Sequence, residues 1–173
     1  MPRIILVQGD ITEQRVGALV NAADTTLLGG GGVDGAIHRK GGPAILDACR
    51  RLRAERYPDG LPTGHAAATP AGRLLARWVI HTVGPVYSSR EDRSALLGRC
   101  HIESLRVADA LGCATVAFPA ISTGVYGYPV DLAALVAIAA VEASGTRVAE
   151  VRFVLFDRPA YAAFERALAR SAR

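Results

Sequence analysis

The chain lacks most of the features that would place it in a specialised class. Its three cysteines, Cys49, Cys100 and Cys113, are odd in number, widely spaced and without a Cys-x-x-Cys pair. That argues against a disulfide framework or a thiolate metal site and for a reducing compartment, with the cytoplasm as the default. No long hydrophobic run is present: the longest, Leu132 to Val141, is roughly half of a bilayer span. The opening MPRIILVQGD has no basic stretch leading into an apolar one with a cleavage site, so no signal peptide is expected. Lysine is almost missing. Lys40 stands alone, so the net charge of +4 rests on arginine. Arg50, Arg51, Arg53 and Arg56 form the densest basic cluster, but no stacking aromatics interleave with them. A solvated helix face explains this cluster more simply than a nucleic-acid contact. No GxSxG elbow or Cys/His pairing marks a covalent nucleophile. His65, His81 and His101 are isolated and lack the spacing of zinc ligands.

What is present is an ordinary globular composition, 50% hydrophobic and 21% charged, which over 173 residues predicts one domain spanning 1–173 with a full core. Strand-like runs fall at Ile4–Val7, Ala18–Val20, Trp78–Ile80, Thr115–Phe118 and Val151–Phe156. Helical patterns lie between them, at Val33–Arg39, Pro43–Arg56, Ser94–Leu111, Val130–Ala143 and Ala160–Ala169. In the third of these, Leu97, Leu105, Ala108 and Leu111 make an apolar stripe. Pro43 suits a first helical turn, and Gly112 and Gly145 suit helix ends. Residues 57–64, with two prolines and two glycines, read as an exposed turn inside the domain. Apolar strands separated by helices imply a sheet covered on both faces, a three-layer α/β domain.

The most informative segment is Gly29-Gly30-Gly31-Gly32-Val33-Asp34-Gly35. Four glycines cost backbone entropy and offer no side chain to a core. A tight turn explains two of them but hardly four. Such a run suits close approach of backbone to a ligand, and a bare amide loop opening a helix attracts anions. Asp34, beside it, could handle protons. Gly30, Gly32 and Gly35 formally fit GxGxxG, but an Arg-rich helix follows where a dinucleotide fold needs a strand ending in an acid. No Gly-Lys-Ser/Thr follows either, which excludes a P-loop.

In open α/β sheets ligands gather beyond the carboxyl ends of the strands. Gly9-Asp10-Ile11-Thr12, Asn21-Ala22-Ala23-Asp24 and Ala120 to Gly127 are read as following strands, and Phe156-Asp157 as ending the last one. Ser122, Thr123, Gly124 and Val125 could make a second anion nest, so that two facing nests would suit a diphosphate. Tyr126 either covers a sugar ring or is a buried, satisfied tyrosine. Asp10 either accepts from an exocyclic amine or caps its own turn. Phe156 either stacks on a base or, the commoner fate, packs in the core. His38, four residues after Asp34 on one helix face, is more simply a satisfied structural histidine than half of an acid/base couple.

Taken together, Gly9–Thr12, Val20–Ala23, Leu27–His38, Val79–Pro85 and Ile121–Pro129 resemble the macrodomain family, and LLGGGGVDGAIH resembles the signature of its MacroD-type branch. The resemblance spans nearly the whole chain. It implies a three-layer α/β/α sandwich with a central mixed sheet and a cleft for ADP-ribose. Asp10 and the Ile11 amide would then hold adenine, with Phe156 stacked on it. Gly30, Gly31, Gly32 and Val33, facing Ser122, Thr123, Gly124, Val125 and Tyr126, would grip the diphosphate and distal ribose. Asp34 matches the acid implicated in catalysis, with Asn21 and Asp24 beside it. The branch removes ADP-ribose from acidic side chains and deacetylates O-acetyl-ADP-ribose, without metal or cofactor. The implied partners are ADP-ribose, ADP-ribosylated proteins and O-acetyl-ADP-ribose, with no membrane; nucleic acid is only weakly supported, and a monomer is expected. One departure stands out: the branch reads Asn-Ala-Ala-Asn where this chain has Asp24. A carboxylate cannot donate as an amide does, and it adds negative charge near Asp34 and the diphosphate. That departure keeps a non-catalytic ADP-ribose reader open as an alternative, and the arginine cluster gives weak support to another, hydrolysis of ADP-ribose attached to nucleic acid.

Overall fold

The computed structural model, which describes residues 1–173, has six strands and five helices. In chain order they are β1 (Arg3–Gln8), β2 (Ala18–Ala23), α1 (Gly32–Gly41), α2 (Pro43–Glu55), β3 (Ala66–Pro70) and β4 (Trp78–Val83). Then come α3 (Ser94–Ala110), β5 (Thr115–Phe118), α4 (Val130–Ala143), β6 (Glu150–Leu155) and α5 (Arg158–Ser171). A single 3-10 turn, Ile11–Glu13, follows β1. The strands form one sheet in the order β1-β6-β5-β2-β4-β3. All neighbours are parallel except β3 and β4, so the sheet is mixed.

Alternation along each strand divides the core in two, as the two-residue side-chain period requires. Ala18, Val20, Ile80, Val116, Phe118, Val151 and Phe153 face a core closed by α3, α4 and α5. Leu19, Ala23, Val79, Val83, Ala117 and Val154 face a second core closed by Ile37 of α1 and Ile45 and Cys49 of α2. This is a three-layer α/β/α sandwich. Helix ends follow local chemistry: Pro43 opens α2, and Asp157 caps α5 by accepting from the Ala160 N–H at 2.9 Å. Gly112 and Gly145, at φ +70° and +66°, follow the ends of α3 and α4.

Four expectations change. Strand β3 was not expected; it is five residues of small side chains and carries little β-signal of its own. Strand β2 continues through Asn21, Ala22 and Ala23, so only Asp24 lies beyond its end. Phe156 falls just after β6 and is 84% exposed, which rules out core packing. Residues 57–64 are not simply an exposed turn. Leu61 is fully buried, its N–H bonds the Thr25 carbonyl at 2.9 Å, and the segment braces the turn after β2.

Candidate active site

Because β1, β6, β5 and β2 run parallel, their carboxyl ends share one edge of the sheet. In sheet order that edge carries Asp10, Phe156, the 120–127 loop, and Asp24 with the glycine loop. Asp10 accepts from Thr12 N–H at 2.9 Å and Thr12 Oγ1 at 2.7 Å through one oxygen, capping the 3-10 turn. Those bonds hold its carboxyl below the ordinary carboxylate range, so it stays ionised. Ile11, next in the chain, is buried.

The glycine loop is shaped by two of its residues. Gly29 and Gly32 have φ of +91° and +57°, where a side chain would be strained. Gly30 and Gly31 have no such need, and both are exposed. The N–H groups of Gly29 through Asp34 donate to nothing within the chain. The same holds for Gly124, Val125 and Tyr126 in the loop after β5. That loop is set by Ser122, a buried residue at φ +69° whose carbonyl accepts from Tyr128 at 2.9 Å. Thr123 Oγ1 donates to the Ala120 carbonyl at 2.8 Å. Val125 is fully exposed at the tip of the loop. Tyr126 lies close enough to Asp24 and Asp34 for burial and both charges to raise its phenol. Two adjacent strand ends thus present bare amides, with Tyr126 on one of the two loops.

Asp34, in the first turn of α1, is only 6% exposed. Its Oδ1 accepts from Asn21 Nδ2 at 2.8 Å and lies 3.3 Å from His38 Nε2. Its Oδ2 faces Gly30, 3.2 Å from where a Cβ on that glycine would stand. Burial raises the Asp34 carboxyl, the nearby Asp24 charge adds to this, and Asn21 and His38 oppose it. Asp24 caps the turn after β2, accepting from Thr26 N–H at 2.9 Å and from the Thr26 hydroxyl through Oδ1. Arg53 of α2 donates to the Thr26 carbonyl at 2.7 Å and to Tyr57 and Pro58 carbonyls. One member of the arginine cluster is therefore committed to holding this turn.

The sequence profile of the Macro domain family matches residues 20–137. This chain belongs to the macrodomain family. It is 66% identical over 168 residues to a macro domain-containing protein of Streptomyces nogalater, covering 97% of this chain and 93% of the relative. It is 52% identical over 159 residues to the O-acetyl-ADP-ribose deacetylase of Salmonella typhimurium, covering 90% and 88%. Among solved structures, the Oceanobacillus iheyensis macrodomain with ADP superposes with a TM-score of 0.92 at 38% identity, covering 96% and 90%. The Trypanosoma brucei macrodomain in complex with ADP-ribose gives 0.84 at 37% identity, covering 96% and 69%.

In this macrodomain the fold gathers Asn21, Asp24, Gly30 to Asp34 and Tyr126 at the β2 and β5 ends, and Asp10, Ile11 and Phe156 at the β1 and β6 ends. His38 Nε2 lies 3.3 Å from Asp34 Oδ1, so the two residues expected on one helix face do meet. Three residues beside the site were missed. His81 is not isolated: its Nδ1 lies 3.1 Å from Asn21 Nδ2 and its Nε2 lies 2.9 Å from Thr69 Oγ1 and 3.7 Å from Cys49 Sγ. The signal for His81 was its place between Val79 and Val83 on one strand face. Thr69 and Cys49 gave none.

Proposed function

We propose that residues 1–173 act as one ADP-ribose-binding unit that hydrolyses ADP-ribosyl esters. Its substrates would be O-acetyl-ADP-ribose and mono-ADP-ribose on acidic side chains. The observation that carries this reading is the division of labour at Asp34. One oxygen is held by Asn21 and His38, and the other faces a loop of unpaired amides. Asp10 and exposed Phe156 suit the amine and face of an adenine at the far end of the edge. The amides of Gly30 to Val33 and of Gly124 to Tyr126 suit a diphosphate, each bond to the charged acceptor contributing ~1.5–3 kcal/mol. Tyr126 suits the distal ribose between them.

With the ester placed there, Asp34 Oδ2 orients a water, assisted by a diphosphate oxygen. The water oxygen adds to the ester carbonyl carbon as its proton passes to Asp34. Glycine-loop amides stabilise the oxyanion. The carbon–oxygen bond to the ribose then breaks, and the proton returns to the departing ribose oxygen. The free acid and ribose hydroxyl leave. A raised proton affinity makes Asp34 a better base near neutral pH. The steps proposed here call on no metal or cofactor.

Asp24 favours a second reading, a reader that binds without turnover, because it places a carboxylate beside the diphosphate where the branch has an amide. Calorimetric titration with ADP-ribose, followed by incubation with O-acetyl-ADP-ribose and a glutamate-linked ADP-ribosylated protein, separates the two. Release of acetate or ADP-ribose supports the hydrolase. Binding without release supports the reader, and absence of binding overturns both.

A further inference from the structure

Asn21, His81 and Thr69 form a row across three neighbouring strands on the face covered by α1 and α2. Asn21 on β2 is directly opposite His81 on β4, and His81 is diagonal to Thr69 on β3, whose register partner is Val79. All three are almost fully buried. The Asp34 end of the row is chemically constrained, while the Thr69 hydroxyl at the other end can either donate or accept. The Asp34 carboxylate only accepts, so the Asn21 group 2.8 Å away must be its NH2. That NH2 also meets His81 Nδ1 at 3.1 Å, so Nδ1 must accept as well. A neutral imidazole then carries its hydrogen on Nε2, which donates to Thr69 Oγ1 at 2.9 Å. Burial holds His81 neutral, pushing it down to about 3. The tautomer of one histidine therefore decides which way the Asn21 amide points.

We propose that His81 and Thr69 are positioning residues that fix the hydrogen-bonding direction of Asn21 and, through it, keep a donor on the Asp34 carboxylate. The inference rests on the hydrolase reading for its catalytic consequence, though not for the hydrogen-bond chain itself. Without the Thr69 hydroxyl, an Nε2–H would be buried against only a distant cysteine sulfur, a weak acceptor. The opposite tautomer then becomes competitive. Its Nδ1–H requires the Asn21 carbonyl, the amide turns over, and an oxygen replaces the NH2 facing Asp34. The carboxylate loses its Asn21 donor and meets a partial negative charge instead, which leaves His38 as its one remaining partner. Asp34 is otherwise faced by His38 on its own helix, Asp24 after β2, Cys49 on α2 and Tyr126 after β5, and of these only His38 bonds its oxygens.

The test begins on the unaltered protein. Nitrogen-15 spectra of labelled histidines should show His81 neutral and protonated on Nε2 at pH 6; an Nδ1–H signal there overturns the proposal. In Thr69→Val the signal should move toward Nδ1–H, and the Asp34 carboxyl, followed by carbon-13, should titrate at higher pH. The acidic limb of the kcat profile with O-acetyl-ADP-ribose should rise by the same amount while KM holds. Thr69→Ser should restore all three. An Asp34 titration unchanged in Thr69→Val sinks the idea, since a merely structural threonine predicts that result. If the wild-type protein hydrolyses nothing, the hydrolase reading fails, while the two spectroscopic readouts still decide the chain of bonds.

Discussion

The two oxygens of Asp34 are differently employed, and that makes substitutions here informative. Oδ1 is bonded within the protein and Oδ2 faces the glycine loop. Asp34→Ala removes the proposed base but no amide donor. Turnover should therefore fall by at least ~100-fold, the scale of general-base catalysis, with ADP-ribose affinity little changed. Single-turnover hydrolysis beside calorimetry checks this, and undiminished hydrolysis would remove Asp34 from the mechanism. Asp24→Asn isolates a charge, because an asparagine oxygen can still cap the turn at Thr26. The Asp24 charge helps to raise the Asp34 carboxyl, so its removal should let Asp34 ionise at lower pH. The acidic limb of the rate profile should move down and ADP-ribose should bind severalfold more tightly. Loss of activity would instead make Asp24 a second base.

At the scale of elements, α1 is pressed against the loop that opens it. A Cβ at Gly35 would lie 2.5 Å from the Gly30 carbonyl oxygen, which is backbone and cannot swing aside. Alanine is favoured over glycine inside a helix by roughly 1 kcal/mol. Overpacking of this kind costs about 1–3 kcal/mol, so the contact outweighs the propensity. Gly35→Ala should therefore lower Tm by ~2–4 °C per kcal/mol of net loss and weaken ADP-ribose binding by shifting Gly30. Calorimetry in both modes checks it; a higher Tm with unchanged affinity would mean that the loop yields freely. Residues 29–35 were the most legible part of the chain because glycine repetition has few explanations. Five of the six strands and all five helices were also legible, since β-branched runs and helix caps signal locally. β3 was not: Ala66, Ala67 and Ala68 have no pattern, and the strand exists because β4 offers an edge to pair with. With β3 unseen, Thr69 could not be placed beside His81. Asn21 looked like a loop residue because its polar side chain hides the strand, which continues here with the amide NH2 against His81 on β4 and Asp34 on α1.

The molecule as a whole has a second consequence of its two-sided core: each side buries a neutral histidine. His81 lies under α1 and α2, and His101 of α3 packs on Phe118, with ring centroids 5.1 Å apart. Burial lowers them to about 3 and about 4 respectively. An unfolded histidine titrates near ~6.5, so between about pH 4 and 6.5 the unfolded chain binds protons that the native state refuses. Stability is complete above that window and falls with pH inside it, by up to about 1.4 kcal/mol per pH unit for each histidine. Asp10 and Glu150, whose carboxyls are held low, extend the loss to lower pH, whereas the raised Asp34 opposes it. The two histidines can be told apart because only His81 adjoins the candidate site. His101 Nδ1 bonds the Leu97 carbonyl at 2.9 Å and its Nε2 has no partner. His101→Leu should therefore roughly halve the decline in urea midpoint between pH 6.5 and 5. Turnover and its pH profile should remain as in the wild type. A decline as steep as that of the wild type would show that His101 takes up its proton in the folded protein, and that of the two histidines only His81 makes the fold sensitive between pH 6.5 and 5.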